Sequence, residues 1–420
     1  MGAERWITDW DPDPRFPVYT RANAGEVLPD PCSPLCWTVA WEPGVLQGWR
    51  DSQINCGTCE PGEIPEHRPP VVGHFGGYLY INGSMARLFG VRGPGLSPEM
   101  IDAVYFGAHP DVPAYVAESW HESPGNTAKL AAWMGEVLTA ESLPALLADQ
   151  ADANAARASR PDLAELDEHA LVARMRSFQP LLRRLFERHL TMTAGTSIGT
   201  GALGQIAAAL GDPSLALTLI TSIGDVDSAA PSNAMWALSR LAPDSAEYRA
   251  GLARFLDEFG SRGPNEWDIR SDTWETKPTL APGLLVALRG ASDGESPSRR
   301  HDRNAAARRA AEAGVRAALA GQAETLGTFE LALRSAHNYL AGRERAKTNI
   351  IKVLHEVRMA AYALATRTGF TNSEISMVLD DELDAFATQP ADFRARLAQR
   401  ERQYLELFEL DPPFIVNGAV

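Results

Sequence analysis

Arg343 and Lys347 are the two side chains whose types and spacing most directly indicate chemistry. They lie four residues apart in a segment with a helical pattern, so both fall on one face of the helix. Arginine offers a fixed fork of donors to phosphate oxygens and lysine a mobile point charge, so the pair can hold one phosphoryl group. Transfer to a hydroxyl also needs a group to take its proton, for which Glu344 or Glu266 is the candidate. The competing interpretation is an exposed charge network within one helix.

Four cysteines form two closely spaced pairs, which is a pattern typical of structural zinc sites. Cys32 and Cys36 make the first pair, and Cys56 and Cys59 make the second. Short intervals let two thiolates point at one tetrahedral ion, so these four residues are candidate zinc ligands. The alternative is that they are small buried core residues. Redox use of the second pair lacks the βαβ context that such a motif needs.

The stretch from Gly199 to Gly204 matches the Gly-x-Gly-x-x-Gly fingerprint of dinucleotide-binding folds, and Asp225 follows about twenty residues later, as the fingerprint requires. That fingerprint also needs a preceding strand, whereas the residues before it continue a helical stripe. A nicotinamide-dependent oxidoreductase is therefore a remote alternative. The favoured interpretation is that these glycines let two helices approach closely.

The composition of the chain changes from a Pro/Gly-rich first part to a long remainder with helical periodicity. Short apolar stretches near the start are typical of strands and loops, and later apolar residues recur at helical spacing. The sequence therefore predicts a mainly α protein, with helical bundles and a small irregular, β-containing N-terminal head. The predicted units are a head at 1–122, a helical bundle at 123–260, a motif loop and linker at 261–304, and a C-terminal long-helix bundle at 305–420.

Helix start signals place several boundaries. Asn126 is expected to cap a helix, Pro144 to occupy a first turn, and Asn372 to begin a third helix. An apolar stripe covers 167–190, and a separate helix is expected at 201–211. The remaining predicted helices lie at 231–242, 244–259, 305–321, 327–368, 372–387 and 391–409.

Charge and hydropathy limit the partners. The net charge is −15 and the pI is about 5.1, which disfavours binding to a nucleic-acid backbone. No apolar run approaches the roughly 20 residues needed to span a bilayer, and the N-terminus lacks a signal-like apolar region. We therefore expect a cytoplasmic protein without a membrane or nucleic-acid partner.

Three segments in order resemble the central, substrate-binding domain of the rifampicin phosphotransferase and phosphoenolpyruvate synthase-like enzymes. They are Asn-Ala-Gly-Glu-Val-Leu-Pro at 23–29 followed by Pro-Leu-Cys-Trp at 34–37; Gly-Ser-Arg-Gly-Pro-Asn-Glu-Trp-Asp-Ile-Arg-Ser at 260–271; and Arg-Glu-Arg-Ala-Lys at 343–347, followed by Arg358 and Asp-Asp-Glu-Leu at 380–383. Ser261 stands where the family usually has histidine. The cysteines at 32 and 36 stand where it has valine and threonine without a metal.

In that family an ATP-grasp domain phosphorylates a histidine on a mobile domain, which carries the phosphate to an acceptor in the central domain. The resemblance implies that Arg343 and Lys347 lie at the transfer site and that Asn23 lies near the acceptor. Glu26, Arg262 and Glu266 complete the candidate substrate-binding set. The chain shows no ATP-grasp signature, so phosphohistidine would come from partners, namely an ATP-grasp subunit and a histidine-domain protein. No cofactor is expected in the chain itself, apart from the zinc alternative.

The function expected from the resemblance is that of a stand-alone, substrate-binding subunit of a split phosphotransferase. It would present the hydroxyl of a hydrophobic small molecule from an apolar pocket between helices, closed by aromatic residues of the head. The phosphorylated alcohol would be the product or the leaving group of a dehydration. The alternative is a non-catalytic small-molecule-binding protein that keeps the pocket. The presence of both Arg343 and Lys347 favours phosphoryl transfer. Ser261, which stands where the family usually has histidine, favours binding without transfer.

Overall fold

The computed structural model describes residues 5–107, 109–224, 227, 229–243 and 245–418. The fold is mainly α, as predicted, with one small antiparallel sheet in the head. The strands are β1 (Val18–Thr20), β2 (Val72–Phe75), β3 (Tyr78–Asn82) and β4 (Ile415–Asn417), arranged in the order β2-β3-β1-β4. The sequence did not predict β4, which pairs with β1 and brings the C-terminal residues into the head.

The β2–β3 hairpin turns through two glycines. Gly76 and Gly77 have φ values of 57° and 78°, the left-handed region that a tight two-residue hairpin requires at both positions. The hairpin pairs Val72 with Ile81 and Phe75 with Tyr78, so alternate side chains point to opposite faces of the sheet. Val72 belongs to the main hydrophobic cluster, and Phe75 belongs to an aromatic cluster with Tyr78.

The head also contains short helices. They are α1 (Ala24–Val27), α2 (Pro34–Cys36), α3 (Leu46–Asn55), α4 (Gly83–Arg92) and α5 (Pro98–Tyr105). A π-helical stretch at Trp37–Val45 joins α2 to α3, so the chain stays helical through Pro43. This helical stretch is longer than the Pro/Gly-rich composition of the head predicts. Burial of Trp37 and Trp41 in the core stabilises it.

The helical remainder falls into a middle and a C-terminal series. The middle helices are α6 (Pro124–Thr139), α7 (Pro144–Ala158), α8 (Glu168–Ser177), α9 (Gln179–Ala209), α10 (Leu215–Leu219), α11 (Ala230–Ser239), α12 (Ala246–Phe259) and α13 (Leu280–Arg289). The C-terminal helices are α14 (Pro297–Ala318), α15 (Ala323–Thr368), α16 (Asn372–Ile375), α17 (Leu383–Thr388) and α18 (Arg394–Glu406).

The helices α9 and α15 form the central pair of the molecule. A Cβ added at Gly199 would lie 2.6 Å from the main-chain nitrogen of Ala336, and one at Gly195 would lie 2.3 Å from the ring of Tyr339. Glycine at these positions therefore allows the two helices to approach closely. Of the glycines predicted to have this role, Gly199 does so, whereas Gly201 and Gly204 meet no atom within 4 Å. The same observation removes the dinucleotide alternative, because Gly199–Gly204 lies inside α9 rather than after a strand. Asp225 lies outside the described residues.

Several helix boundaries differ from the predictions. The helix α9 is continuous from 179 to 209, although two separate helices were expected. Ser123, not Asn126, caps α6, while the Asn126 side chain is buried and donates to the Gly57 carbonyl at 2.9 Å. Pro144 does open α7. The helix α14 begins at Pro297, inside the predicted linker, because Ser296 supplies an N-cap.

The segment predicted as one helix at 372–387 is interrupted. It consists of α16, a 3₁₀ turn at Asp380–Glu382 and α17, and Thr371 caps its start in a capping box with Glu374.

The largest hydrophobic cluster combines residues of the head, α8, α9, α15 and the C-terminal helices, so these predicted units share one core. Within the described part of the chain, no helix is both long and apolar enough to cross a bilayer.

Candidate functional site

Glu266 is the carboxylate that connects two of the motifs found in the sequence. Its Oε2 accepts a hydrogen bond from Arg262 Nε at 2.7 Å, and its Oε1 lies 3.4 Å from Lys347 Nζ. The Glu266 side chain is buried, whereas that of Lys347 is 34% exposed. The loop at 260–275, which we call the motif loop, thus places one anion between two cations beside α15.

Arg343 lies one helical turn before Lys347 on α15. Its guanidinium contacts the carboxylate of Glu344 at 3.2 Å, with the arginine side chain 37% exposed and that of Glu344 22% exposed. An ion pair this open contributes little to stability, so Arg343 is free to exchange its partner for another anion. We call Arg262, Glu266, Arg343, Glu344 and Lys347 together the cation cluster.

His189 adjoins the cation cluster and was not among the predicted site residues. Burial and, less strongly, the charges of Arg343 and Lys347 lower the pKa of His189 to about 4, although a contact with the Arg343 main chain opposes the shift. The imidazole is therefore neutral at pH 7. Its Nδ1 is enclosed without a hydrogen-bond partner in the described structure. His189 stands in the apolar stripe of α9, so the sequence offers no signal that separates it from a core residue.

Arg358 fixes the position of the motif loop. The side chain is fully buried, and its Nη2 donates to the carbonyls of Glu266 and Asp268, each at 2.9 Å. Its Nε donates to the carbonyl of Ile269 at 3.2 Å. The carboxylate of Asp268 in turn accepts from the main chain and the hydroxyl of Ser33, at 2.7 and 2.6 Å. The loop is thereby tied to both α15 and the head.

A buried ionic network supports the far end of the motif loop. Glu356 is inaccessible to solvent and accepts two hydrogen bonds from Arg160, at 2.9 and 2.6 Å, and one from Arg174 at 3.0 Å. Arg160 also donates to Glu275 at 2.6 Å. Such a network leaves no buried charge without an opposite partner, which is the condition for tolerating charges in a core.

His355 joins this network to Arg358. Its Nε2 lies 2.9 Å from Glu275 Oε2, and its Nδ1 lies 3.0 Å from Arg358 Nη1. The carboxylate requires a proton on Nε2 and the guanidinium requires a lone pair on Nδ1, so the neighbours select the neutral imidazole. Burial accordingly lowers the pKa of His355 to about 4, although the hydrogen bond to Glu275 opposes the shift.

The cavity that best matches the predicted apolar pocket lies between the head and the helices α6 and α9. Its volume is about 170 Å³, and its surface is mostly apolar. The head contributes Trp49, Met85 and Phe89, while α6 contributes Trp133 and α9 contributes Leu190. Aromatic side chains of the head therefore form part of its wall.

The cation cluster and the cavity lie beside adjacent faces of α9. Thr193 lines the cavity and lies four residues after His189, which is a rotation of about 40° around a helix with 3.6 residues per turn. Neither Arg343 nor Lys347 is among the described side chains that line this cavity. A ligand that reaches both the cavity and the cation cluster must extend along this side of α9.

Asn23 and Glu26 lie apart from these residues. Both are exposed, and no described contact joins them to Arg343 or Lys347. Asn23 has a φ of 57° and a ψ of −38° at the N-cap of α1, and it is the central residue of a tight turn in which the Ala24 nitrogen donates to the Ala22 carbonyl at 2.6 Å. The head contacts the motif loop at Asp30, whose carboxylate accepts from Asn265 at 3.2 Å.

The four cysteines are divided between different parts of the core. Cys32 and Cys36 belong to the main cluster, where Cys36 Sγ lies 3.4 Å from the Trp267 carbonyl, whereas Cys59 packs in a separate cluster. All four are buried free thiols, and burial raises the pKa of Cys56. Among the described residues, no group of three or more His, Cys, Asp or Glu side chains is arranged to hold a metal ion. The zinc interpretation therefore gains no support.

The comparison with protein families identifies the region around the cation cluster. Residues 188–344 match the family model of the rifampicin phosphotransferase fourth domain, so this part of the chain is similar to that domain. The matched range contains His189, Arg262, Glu266 and Arg343, and it ends three residues before Lys347. No curated protein matches the chain.

Proposed function

From the similarity of residues 188–344 to the rifampicin phosphotransferase fourth domain, we propose that this chain is the substrate-binding component of a phosphotransfer system. It binds a hydrophobic small molecule and presents a hydroxyl of that molecule to phosphohistidine on a separate histidine-domain protein. A separate ATP-grasp subunit phosphorylates that histidine. The observation that carries the proposal is the convergence of Lys347 and Arg262 on Glu266, from two distant motifs, inside and beside the matched region.

Each member of the cation cluster has a distinct role in the transfer. The P–N bond of phosphohistidine breaks and a P–O bond to the acceptor oxygen forms, while the hydroxyl proton passes to a carboxylate, for which Glu344 is the better exposed candidate. Arg343 and Lys347 stabilise the charge on the transferred phosphoryl oxygens, which is the main contribution of proteins to this reaction. Arg262 holds the Glu266 carboxylate in place.

Glu266 keeps the cluster stable before phosphate arrives. Arg262 and Lys347 both contact Glu266, and a buried carboxylate between two cations offsets their mutual repulsion. When a phosphoryl group enters, Lys347 can turn from Glu266 towards the new anion, because its ammonium is mobile and partly exposed. The phosphorylated alcohol is either released or loses phosphate in a later elimination.

A binding protein without transfer activity is the second candidate. It is favoured by the absence of Arg343 and Lys347 from the described cavity lining and by the neutralisation of Lys347 by Glu266. In that case the cations are structural and the cavity alone carries the function. The two candidates differ in whether ATP-derived phosphate appears on a small molecule.

The test is a labelling experiment in an extract of source cells that lack this chain. The extract receives purified protein and ATP that carries ³²P in both its β and its γ phosphate, and labelled small molecules are separated from nucleotides, pyrophosphate and inorganic phosphate by chromatography. The proposal expects a labelled product with the wild-type chain and none with Arg343→Ala or Lys347→Ala. Lys277→Ala, which removes an exposed lysine of the loop after the motif, is the matched control and should restore labelling.

Two outcomes would count against the proposal. One is labelling that both cluster variants restore as well as the wild-type chain, since the cations would then have no part in transfer. The other is the absence of any labelled product that depends on the wild-type chain, which would favour the binding protein.

A further inference from the structure

The chemistry of the cavity between the head, α6 and α9 allows its ligand to be described more closely than the proposed function does. None of the described side chains that line it carries a formal charge. A charged ligand would lose its hydration there without gaining an opposite partner, and that loss is among the largest penalties in proteins. The cavity therefore selects uncharged molecules.

Four of the five hydroxyl groups of the lining, all except that of Tyr105, are already committed as donors. Ser52 donates to the Trp49 carbonyl at 2.7 Å, and Thr193 donates to the His189 carbonyl at 2.8 Å. Thr191 donates to Glu187 Oε1 at 3.2 Å, and Ser197 to the Thr193 carbonyl at 3.4 Å. A hydroxyl has one proton and two lone pairs, so each of these groups can offer a ligand only acceptor positions.

The size of the cavity suits a small ring system. Its volume of about 170 Å³ is slightly larger than that of an engineered apolar cavity of about 150 Å³ that holds benzene. The indole rings of Trp49 and Trp133 and the ring of Phe89 provide flat apolar walls. Such walls pack well against another ring, in offset or edge-to-face contact.

We propose that this cavity binds a small, uncharged ring compound that carries a hydroxyl or another hydrogen-bond donor, and that it binds the donor through the lone pairs of Ser52, Thr191, Thr193 or Ser197. The role of this compound as phosphoryl acceptor rests on the proposed function, but its binding does not. A phenol or a benzyl-type alcohol has the required shape, neutrality and donor. The donor end points towards the side of α9 that carries Thr193, next to the His189 face.

The proposal is tested by calorimetric titration of the full chain with three matched probes. They are 4-ethylphenol, 4-ethyltoluene, in which a methyl group replaces the hydroxyl, and 4-ethylbenzoate, which is charged. The expected order is 4-ethylphenol tighter than 4-ethyltoluene by about fivefold or more, the effect of one hydrogen bond, with no detectable binding of 4-ethylbenzoate. No ATP or partner protein is present, so failure here is distinct from failure of the labelling experiment.

Variants of α9 locate the binding. Ala194→Phe, which fills the cavity, should abolish binding of 4-ethylphenol, whereas Ala208→Phe at an exposed position of the same helix should leave it unchanged. The quadruple variant Ser52→Ala, Thr191→Val, Thr193→Val, Ser197→Ala removes all four proposed acceptors and should reduce the preference for 4-ethylphenol over 4-ethyltoluene to nearly onefold. This second variant keeps the test valid if Ala194→Phe does not fold.

The proposal is overturned by tighter binding of 4-ethylbenzoate than of 4-ethylphenol, or by equal binding of 4-ethylphenol and 4-ethyltoluene to the wild-type chain. It is also overturned if none of the three probes binds, or if Ala194→Phe folds and binds 4-ethylphenol as the wild-type chain does.

Discussion

Lys347 Nζ lies 3.4 Å from Oε1 of Glu266, although one residue belongs to the long helix α15 and the other to the motif loop. The same carboxylate receives a hydrogen bond from Arg262 through its other oxygen. This single anion therefore sets how much positive charge the cluster presents to a ligand. The proposed transfer depends on that balance.

Replacing Glu266 by glutamine should strengthen the binding of inorganic phosphate. The change removes one negative charge beside Lys347 and Arg262, and we expect the dissociation constant to fall by about fivefold, equivalent to about 1 kcal/mol for a partly exposed pair. Isothermal titration with phosphate measures the effect. Glu324→Gln, at the exposed start of α15, is the control and should leave phosphate binding unchanged. Weaker phosphate binding by Glu266→Gln would show that the carboxylate does not compete with phosphate.

Arg358 should be important for stability, because it supplies donors to three carbonyls of the motif loop. Arg358→Lys keeps a positive charge but cannot reach all of them, and unpaired buried carbonyls are costly. We expect the free energy of unfolding to fall by about 3 kcal/mol, measured by urea denaturation. Arg402→Lys, at an exposed position of α18, is the matched control. A loss below about 0.5 kcal/mol for Arg358→Lys would contradict this role.

The close approach of α9 and α15 predicts opposite effects for two neighbouring glycines. Gly199→Ala places a methyl group 2.6 Å from the Ala336 nitrogen, so the helices must separate and stability should fall by about 1–3 kcal/mol. Gly201→Ala meets no atom within 4 Å and should raise stability by up to about 1 kcal/mol, because alanine is the better helix former. Thermal or urea unfolding of both variants provides the comparison. If both variants change stability in the same direction, the described packing is wrong.

Stability should decrease as the pH falls from about 6.5 towards 4. Burial lowers the pKa of His74, His189 and His355 to about 4 from an ordinary value near 6.5. In this range the unfolded chain binds protons that the folded chain does not, so acid favours unfolding. Each histidine contributes a slope of up to about 1.4 kcal/mol per pH unit. The slope should vanish above about pH 7.

The variant His355→Asn tests the contribution of one site. It should be less stable than the wild-type chain at pH 7, but its stability should depend less on pH between 6.5 and 4. Urea midpoints at several pH values measure both effects, and His67→Asn, at an exposed position, is the control. An unchanged pH dependence in His355→Asn would mean that His355 titrates normally in the folded protein.

The sequence predicted much of the helical framework because that information is local. The apolar periodicity before Thr368 indicates a long helix, and Pro144 marks the start of α7. The continuity of α9 was missed because several glycines argue locally against a helix. For Gly195 and Gly199, that cost is offset by close contact with α15, which only the tertiary structure supplies.

The candidate site was predictable only in part, for the same physical reason. The motifs identified Arg262, Glu266 and Lys347 separately, and the structure brings them together. The bridging of two cations by one carboxylate could not be deduced, nor could the pairing of His355 with Glu275, whose partners are 80 residues apart. Such contacts depend on the three-dimensional path of the chain.

The most direct test of the central claim is phosphate binding by the cation cluster itself. Isothermal titration of inorganic phosphate should show binding to the wild-type chain and to Lys277→Ala, and none to the double variant Arg343→Ala, Lys347→Ala. Circular dichroism should show that the double variant keeps its helical content, because both side chains are more than one third exposed. Equal phosphate binding by the double variant and the wild-type chain would contradict the account.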